Sequence, residues 1–151
     1  GQYLGAPVRF DSLQQAADAM WIMSSSFGPH TAQQWLELSR HMVRTLPDGG
    51  LAMHYDPAIA QAFKAMTPEV SAASAMQLWQ LYDRIHARTL LLRGAQSDLL
   101  SPETAQAMVH RGPMAKLVEF EGVGHAPTLM AQDQVQVVSE FLLAPEATVA
   151  A

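Results

Sequence analysis

The sequence predicts an α/β chain, a helical first half followed by a strand–helix–strand–helix unit. Three observations carry this expectation. Two strand-like runs, Thr89–Leu92 and Lys116–Phe120, flank a stretch with a strong helix start at Ser101-Pro102-Glu103-Thr104. The first half instead shows two Ser/Thr-x-x-Gln patterns, Ser12 to Gln15 and Thr31 to Gln34, each ahead of an apolar face with helical spacing. The apolar period changes near His86, so the expected division is residues 1–86 and 87–151.

Taken in order, Ser12 and Gln15 open a first helix whose face is Ala16, Ala17, Ala19, Met20 and Met23. Ser24-Ser25-Ser26-Phe27-Gly28-Pro29 breaks it. Thr31 opens a second helix carrying Trp35, Leu38, Met42, Val43 and Leu46 on one side. Pro47-Asp48-Gly49-Gly50 is a strong turn. Asp56-Pro57 starts a short helix through Ile59, Ala60 and Phe63, because proline suits the first helical position. A further helix is expected from about Ala73 to Ile85, with Met76, Leu78 and Trp79 apolar.

The second half has a different rhythm. Thr89-Leu90-Leu91-Leu92, between Arg88 and Arg93-Gly94, suits a strand buried on both faces. The helix after Ser101 is capped by serine, entered by proline and favoured by Glu103 at its positive end, and it stops near His110-Arg111-Gly112-Pro113. The strand Lys116–Phe120 and the loop Gly122-Val123-Gly124-His125-Ala126-Pro127 follow. A last helix runs from about Ala131 to Leu143, with Val135, Val138, Phe141 and Leu142 facing in. A βαβ unit of this spacing makes a parallel pair. Two parallel strands alone leave open edges and thin faces, which predicts more sheet beside them.

Composition excludes several function classes. With 151 residues, 49% of them hydrophobic and 15% charged, the chain can build a core and is not a disordered segment. A net charge of −5 argues against nucleic acid and against an anionic membrane surface. No cysteine is present, so disulfides, thiolate metal sites and a cysteine nucleophile are excluded within these residues. Gly1 to Phe10 lacks the pattern of a secretory signal, and no apolar run approaches the ~20 residues of a membrane helix. A cytoplasmic location is expected. The opening Gly-Gln-Tyr is expected to mark a processed or partial chain, and the tail from Pro145 to fray. No repeat, low-complexity run or linker is visible.

The residues able to carry chemistry lie in the two loops after the strands, where open parallel sheets place their ligands. The first loop offers Asp98 and the second His125. An Asp that orients a His is two-thirds of a nucleophilic triad. Each residue also has an ordinary explanation: a loop Asp commonly caps a backbone amide, and a His between glycine and proline suits a turn. Trp21, Trp35 and Met42, with Met20, Met23 and Met53, either line an adaptable apolar substrate pocket or pack the core. Arg93 either faces an anionic substrate or snorkels to water. The six histidines show no metal-ligand spacing, His54-Tyr55-Asp56 being the closest His/Asp pair, so no metal is expected. Gly49-Gly50 lacks the lysine and helix of a phosphate loop.

The series Leu90-Leu91-Leu92-Arg93-Gly94, Ser97-Asp98, Val118 to Phe120 and Gly124-His125-Ala126-Pro127 resembles the end of the α/β-hydrolase fold. The resemblance implies a triad in the order nucleophile, acid, histidine, with Asp98 matching the acid and His125 the base. The stretch from Asp11 to Ile85, including Tyr55-Asp56-Pro57-Ala58-Ile59, resembles the helical cap inserted before those strands. No G-x-S-x-G occurs, and Ser24-Ser25-Ser26 lacks the strand and glycines of a nucleophile elbow. The N-terminal half of the sheet and the oxyanion loop are likewise unmatched.

The resemblance therefore implies part of a hydrolase acting on an ester or similar activated bond of a small apolar substrate, without a cofactor. The family also hosts aspartate nucleophiles for dehalogenation and serine enzymes that cleave C–C bonds. The 151 residues alone are expected to be inactive in acyl transfer. Two alternatives remain open. One is a non-catalytic module that pairs into a homodimer through its exposed sheet edge. The other is a free-standing helical binding domain that only mimics a hydrolase tail.

Overall fold

The computed structural model describes residues 8–56, 58–59 and 67–145. They form two compact units, the described residues of 8–25 with those of 30–82, and 26–29 with 83–145. Each unit has its own sheet.

In the first unit, helix α1 (Leu13–Ser24) starts where expected. Ser12 is extended and its hydroxyl accepts the Gln15 N–H at 3.1 Å. The Gln15 amide oxygen reaches the Asp11 N–H at 2.6 Å, one residue earlier than a reciprocal box requires. Helix α2 (Ala32–Arg40) has the full box: Thr31 Oγ1 accepts from Gln34 N and Gln34 Oε1 accepts from Thr31 N. The two helices bury Ala16, Ala17 and Met20 against Trp35. The Trp35 indole N–H donates to the Ala17 carbonyl at 2.8 Å, so its polar tip is satisfied inside the core.

This half is not all helical, contrary to expectation. Helix α2 stops at Arg40, and Met42, Val43 and Leu46 do not extend it. Strands β1 (Arg9–Phe10), β2 (Val43–Thr45) and β3 (Leu51–Met53) form an antiparallel sheet in the order β1-β3-β2. Two of the three residues of β2, Val43 and Thr45, are β-branched, and the β2–β3 hairpin satisfies backbone groups that a longer helix would have paired locally. The turn Pro47-Asp48-Gly49-Gly50 closes the hairpin, with Leu46 N donating to Gly50 O at 2.7 Å and Gly49 at φ +83°. Asp48 accepts the Gly50 N–H and the Arg9 guanidinium, each at 3.0 Å. These bonds, the Gly50 N–H foremost, hold its carboxyl below the ordinary value of 3.8.

Asp56 closes a turn, accepting the Ala58 N–H on its side chain at 2.8 Å. The helix expected through Ala60 and Phe63 falls outside the described residues. Helix α3 (Pro68–Tyr82) starts earlier and ends earlier than expected. Its Met76, Leu78 and Leu81 are exposed.

In the second unit, β4 (Leu90–Gly94) and β5 (Lys116–Phe120) pair in parallel, from Leu90 opposite Lys116 to Gly94 opposite Phe120. Helix α4 (Pro102–Val109) crosses between them, with Ser101 Oγ accepting the Thr104 N–H. Leu90, Leu91 and Leu92 are half-buried rather than buried on both faces, since two strands and two helices do not supply two covering layers. Helix α5 (Gln132–Leu143) also departs from expectation. Val138 and Phe141 are half-buried, but Val135 and Leu142 are exposed and Gln134 is buried instead. The Gln134 side chain turns inward because its oxygen accepts the Leu129 N–H at 2.8 Å. Arg88 holds the other end of α5, donating to the Phe141, Ala144 and Pro145 carbonyls.

Candidate active site

Strands β4 and β5 run parallel and in register, so their carboxyl ends release two loops side by side. Asp98 is on the first loop and His125 on the second. Backbone bonds lace the loops together: Ala95 N donates to Phe120 O and Gln96 N to Val123 O, both at 2.9 Å. The approach demands a glycine at the end of β4. A Cβ on Gly94 would lie 2.1 Å from Gly124 O and 2.3 Å from Val123 O. The second loop is also tied to the short 3₁₀ turn Ser25–Phe27, with Gly124 N donating to Ser26 O at 2.5 Å.

The loop bearing Asp98 is held from inside and from below. Ser97 Oγ accepts the Leu99 and Leu100 N–H groups at 3.4 and 3.2 Å. Arg93 points neither at a ligand nor at water: it is 4% exposed and donates to the Leu100, Ala95 and Ser97 carbonyls and to Glu119. Its charge is satisfied within the protein, which is what makes its burial tolerable. Arg93 and Ser97 are the site residues that sequence reasoning undervalued. The signal was present as Arg-Gly closing a strand just before Ser-Asp.

The Asp98 and His125 side chains are both exposed, and among the described residues neither has a hydrogen-bond or ion-pair partner. The structure thus brings the two loops into contact and leaves the two functional groups open. Chemically, such a pair can orient and move a proton, given a nucleophile within reach.

Trp21 and Trp35 meet edge to face at 5.1 Å and, with Gln14, Asp18, His30 and Thr31, line a cleft of about 290 Å³ in the first unit. Met42 is not among its lining residues; it sits half-buried between α2 and β2, its carbonyl accepting the His54 N–H at 2.8 Å. Among the described residues no group of three or more His, Asp or Glu could hold a metal ion, and no helix is long and apolar enough to cross a membrane.

No family model matches the chain. It is 41% identical over 144 residues to the 3-hydroxybutyrate-oligomer hydrolase of Cupriavidus necator, covering 93% of this chain and 49% of that protein. An α/β hydrolase from Novosphingobium aromaticivorans superposes with a TM-score of 0.74 at 33% identity, over 93% of this chain and 49% of that one. A Rickettsia typhi protein assigned as a hydrolase gives 0.72 at 26% identity, over 93% and 46%. The chain therefore spans about half the length of the relatives it matches. The parallel β4–β5 pair, the loops leaving its carboxyl edge and these likenesses identify the chain as the C-terminal half of an α/β-hydrolase fold, its cap and last two core strands.

Proposed function

We propose that this chain supplies the acid and the histidine of an ester hydrolase that cleaves short hydroxyacid esters, 3-hydroxybutyrate oligomers among them. The observation that carries this reading is the placement of Asp98 and His125 on two backbone-laced loops at the carboxyl ends of adjacent parallel strands. The likeness to an oligomer hydrolase supplies the substrate class.

In this reading His125 takes the proton of an attacking serine hydroxyl and then delivers it to the departing alkoxide. Water, deprotonated by the same imidazole, releases the acyl group. Asp98 accepts the other ring N–H of His125, which fixes the tautomer and stabilises the imidazolium. No G-x-S-x-G occurs in the 151 residues, so the nucleophile and the oxyanion donors come from residues outside them, and these residues alone do not turn over esters. The open state of both side chains suits groups that align only in the completed site.

The test uses the whole gene product that carries this sequence, with a 3-hydroxybutyrate trimer and p-nitrophenyl butyrate as substrates. Hydrolysis of both is expected. His125→Ala should lower kcat/KM by about 10³–10⁴-fold. Turnover by that variant within a few-fold of the parent would remove His125 from the mechanism.

A second reading has one observation in its favour. The β4–β5 sheet has only two strands among the described residues, so both strands carry an open edge. A homodimer paired through such an edge would show a doubled mass by sedimentation that falls on dilution. A monomer at every concentration would exclude it.

A further inference from the structure

We infer that Arg93 is a positioning residue, a buried clamp that sets the backbone on both sides of Asp98 and so aims its carboxylate at His125. The inference rests on the reading of Asp98 and His125 given above. Arg93 and Glu119 are register partners on β4 and β5, so their side chains leave the sheet on the same face. Arg93 Nη1 donates to Glu119 Oε1 at 2.5 Å. The rest of the guanidinium is directed at one loop. Nε donates to Leu100 O at 2.7 Å, Nη1 to Ala95 O at 3.3 Å and Nη2 to Ser97 O at 3.5 Å. Ser97 and Leu100 stand on either side of Asp98, one and two residues away. The planar fork thus fixes the carbonyls around Asp98 while the Asp98 side chain itself stays open.

Glu119 is 42% exposed, so its pairing with the buried Arg93 adds little to stability by itself. A fork that holds three carbonyls of one short loop is a good device for geometry. A misplacement of about 1 Å in a catalytic group costs on the order of 10²-fold in rate.

The experiment compares Arg93→Met/Glu119→Leu, Glu119→Gln and Asp98→Asn in the whole gene product, with p-nitrophenyl butyrate as substrate. The double variant removes the donor shared by the Leu100, Ala95 and Ser97 carbonyls, so it is expected to stay folded with a lower denaturant midpoint, to lose about 10–100-fold in kcat and to keep KM within about threefold. Adding it to Asp98→Asn should cost almost nothing more, because the clamp acts through Asp98. Glu119→Gln retains an acceptor for Arg93 and should fold in any case. It should lose a smaller fraction of kcat, also with KM unchanged. A double variant that folds and keeps the parent kcat overturns the clamp, as does a Glu119→Gln variant with parent kcat, or a loss that multiplies in full with that of Asp98→Asn. If Asp98→Asn itself turns over at the parent rate, the assignment of the acid fails instead, which is a separate result.

Discussion

The two units bury different things. The first buries mainly apolar side chains: Phe10, Ala16, Ala17, Met20 and Trp35 form its core beside the two small hydroxyl residues Ser24 and Ser39, and an edge-to-face tryptophan pair joins its two capped helices. The second buries Arg93 and Gln134 beside Ala105, Ala115, Phe120 and Val123, while its three strand leucines remain half-exposed. Its tightest approaches are backbone against backbone, between the loops at the strand ends. One unit is held by side-chain volume. The other spends its ordering on the placement of two loops. The groups that place these loops are a glycine, Gly94, and a buried cation, Arg93.

That contrast can be broken at its strongest point. Gly94→Ala would force a Cβ into the Val123 and Gly124 carbonyls, and a destabilisation above about 4 kcal/mol is expected in urea unfolding. Gly122→Ala is the control, since φ is +73° there but nothing lies within 4 Å, so about 1 kcal/mol is expected. In the first unit Trp35→Ala should cost about 3–5 kcal/mol by the same assay. Equal effects of Gly94→Ala and Gly122→Ala would dissolve the claim that close backbone approach holds the second unit.

Smaller effects sharpen the picture. Thr31→Ala removes a complete capping box and should cost about 1 kcal/mol in the thermal midpoint analysis. The fully buried Ser39 hydroxyl has no hydrogen-bond partner among the described residues, so Ser39→Ala should be neutral or stabilising by up to about 1 kcal/mol. A clear loss there would mean that the hydroxyl is paired. Asp48 should set part of the acid limb of stability. Its carboxyl titrates lower in the folded protein than in the unfolded chain, so its contribution is whole above about 3.8 and is lost as pH falls through the lower folded value. Asp48→Asn should flatten the stability–pH curve in that window. An unchanged slope would show that the Gly50 and Arg9 contacts do not bind the charge.

Legibility differed in the same way between the units. Strands β4 and β5 have five residues each, and the helix between them opens with Ser101-Pro102-Glu103, so the βαβ order could be read directly. Strands of two or three residues carry no periodicity, and β1, β2 and β3 were invisible. Met42, Val43 and Leu46 even mimic a helical face. The loops bearing Asp98 and His125 were legible because strand ends locate them. The clamp was not, because Arg93 is satisfied by loop carbonyls that the folded loop turns toward it and by Glu119, 26 residues away.

What the sequence by itself determined is therefore local: the capped helix starts at Ser12, Thr31 and Ser101, the turn at Asp48-Gly49, and the strand runs that deliver Asp98 and His125 to one edge. These features follow from interactions within about four residues, which neighbours in the chain disclose. Only the tertiary structure decided that the second helix yields to a hairpin, that Gln134 rather than Val135 turns inward, and that Arg93 grips a loop instead of meeting water. Each of those outcomes depends on the desolvation of a polar group. Its sign is set by partners that the fold, and not the adjacent sequence, brings within hydrogen-bonding distance.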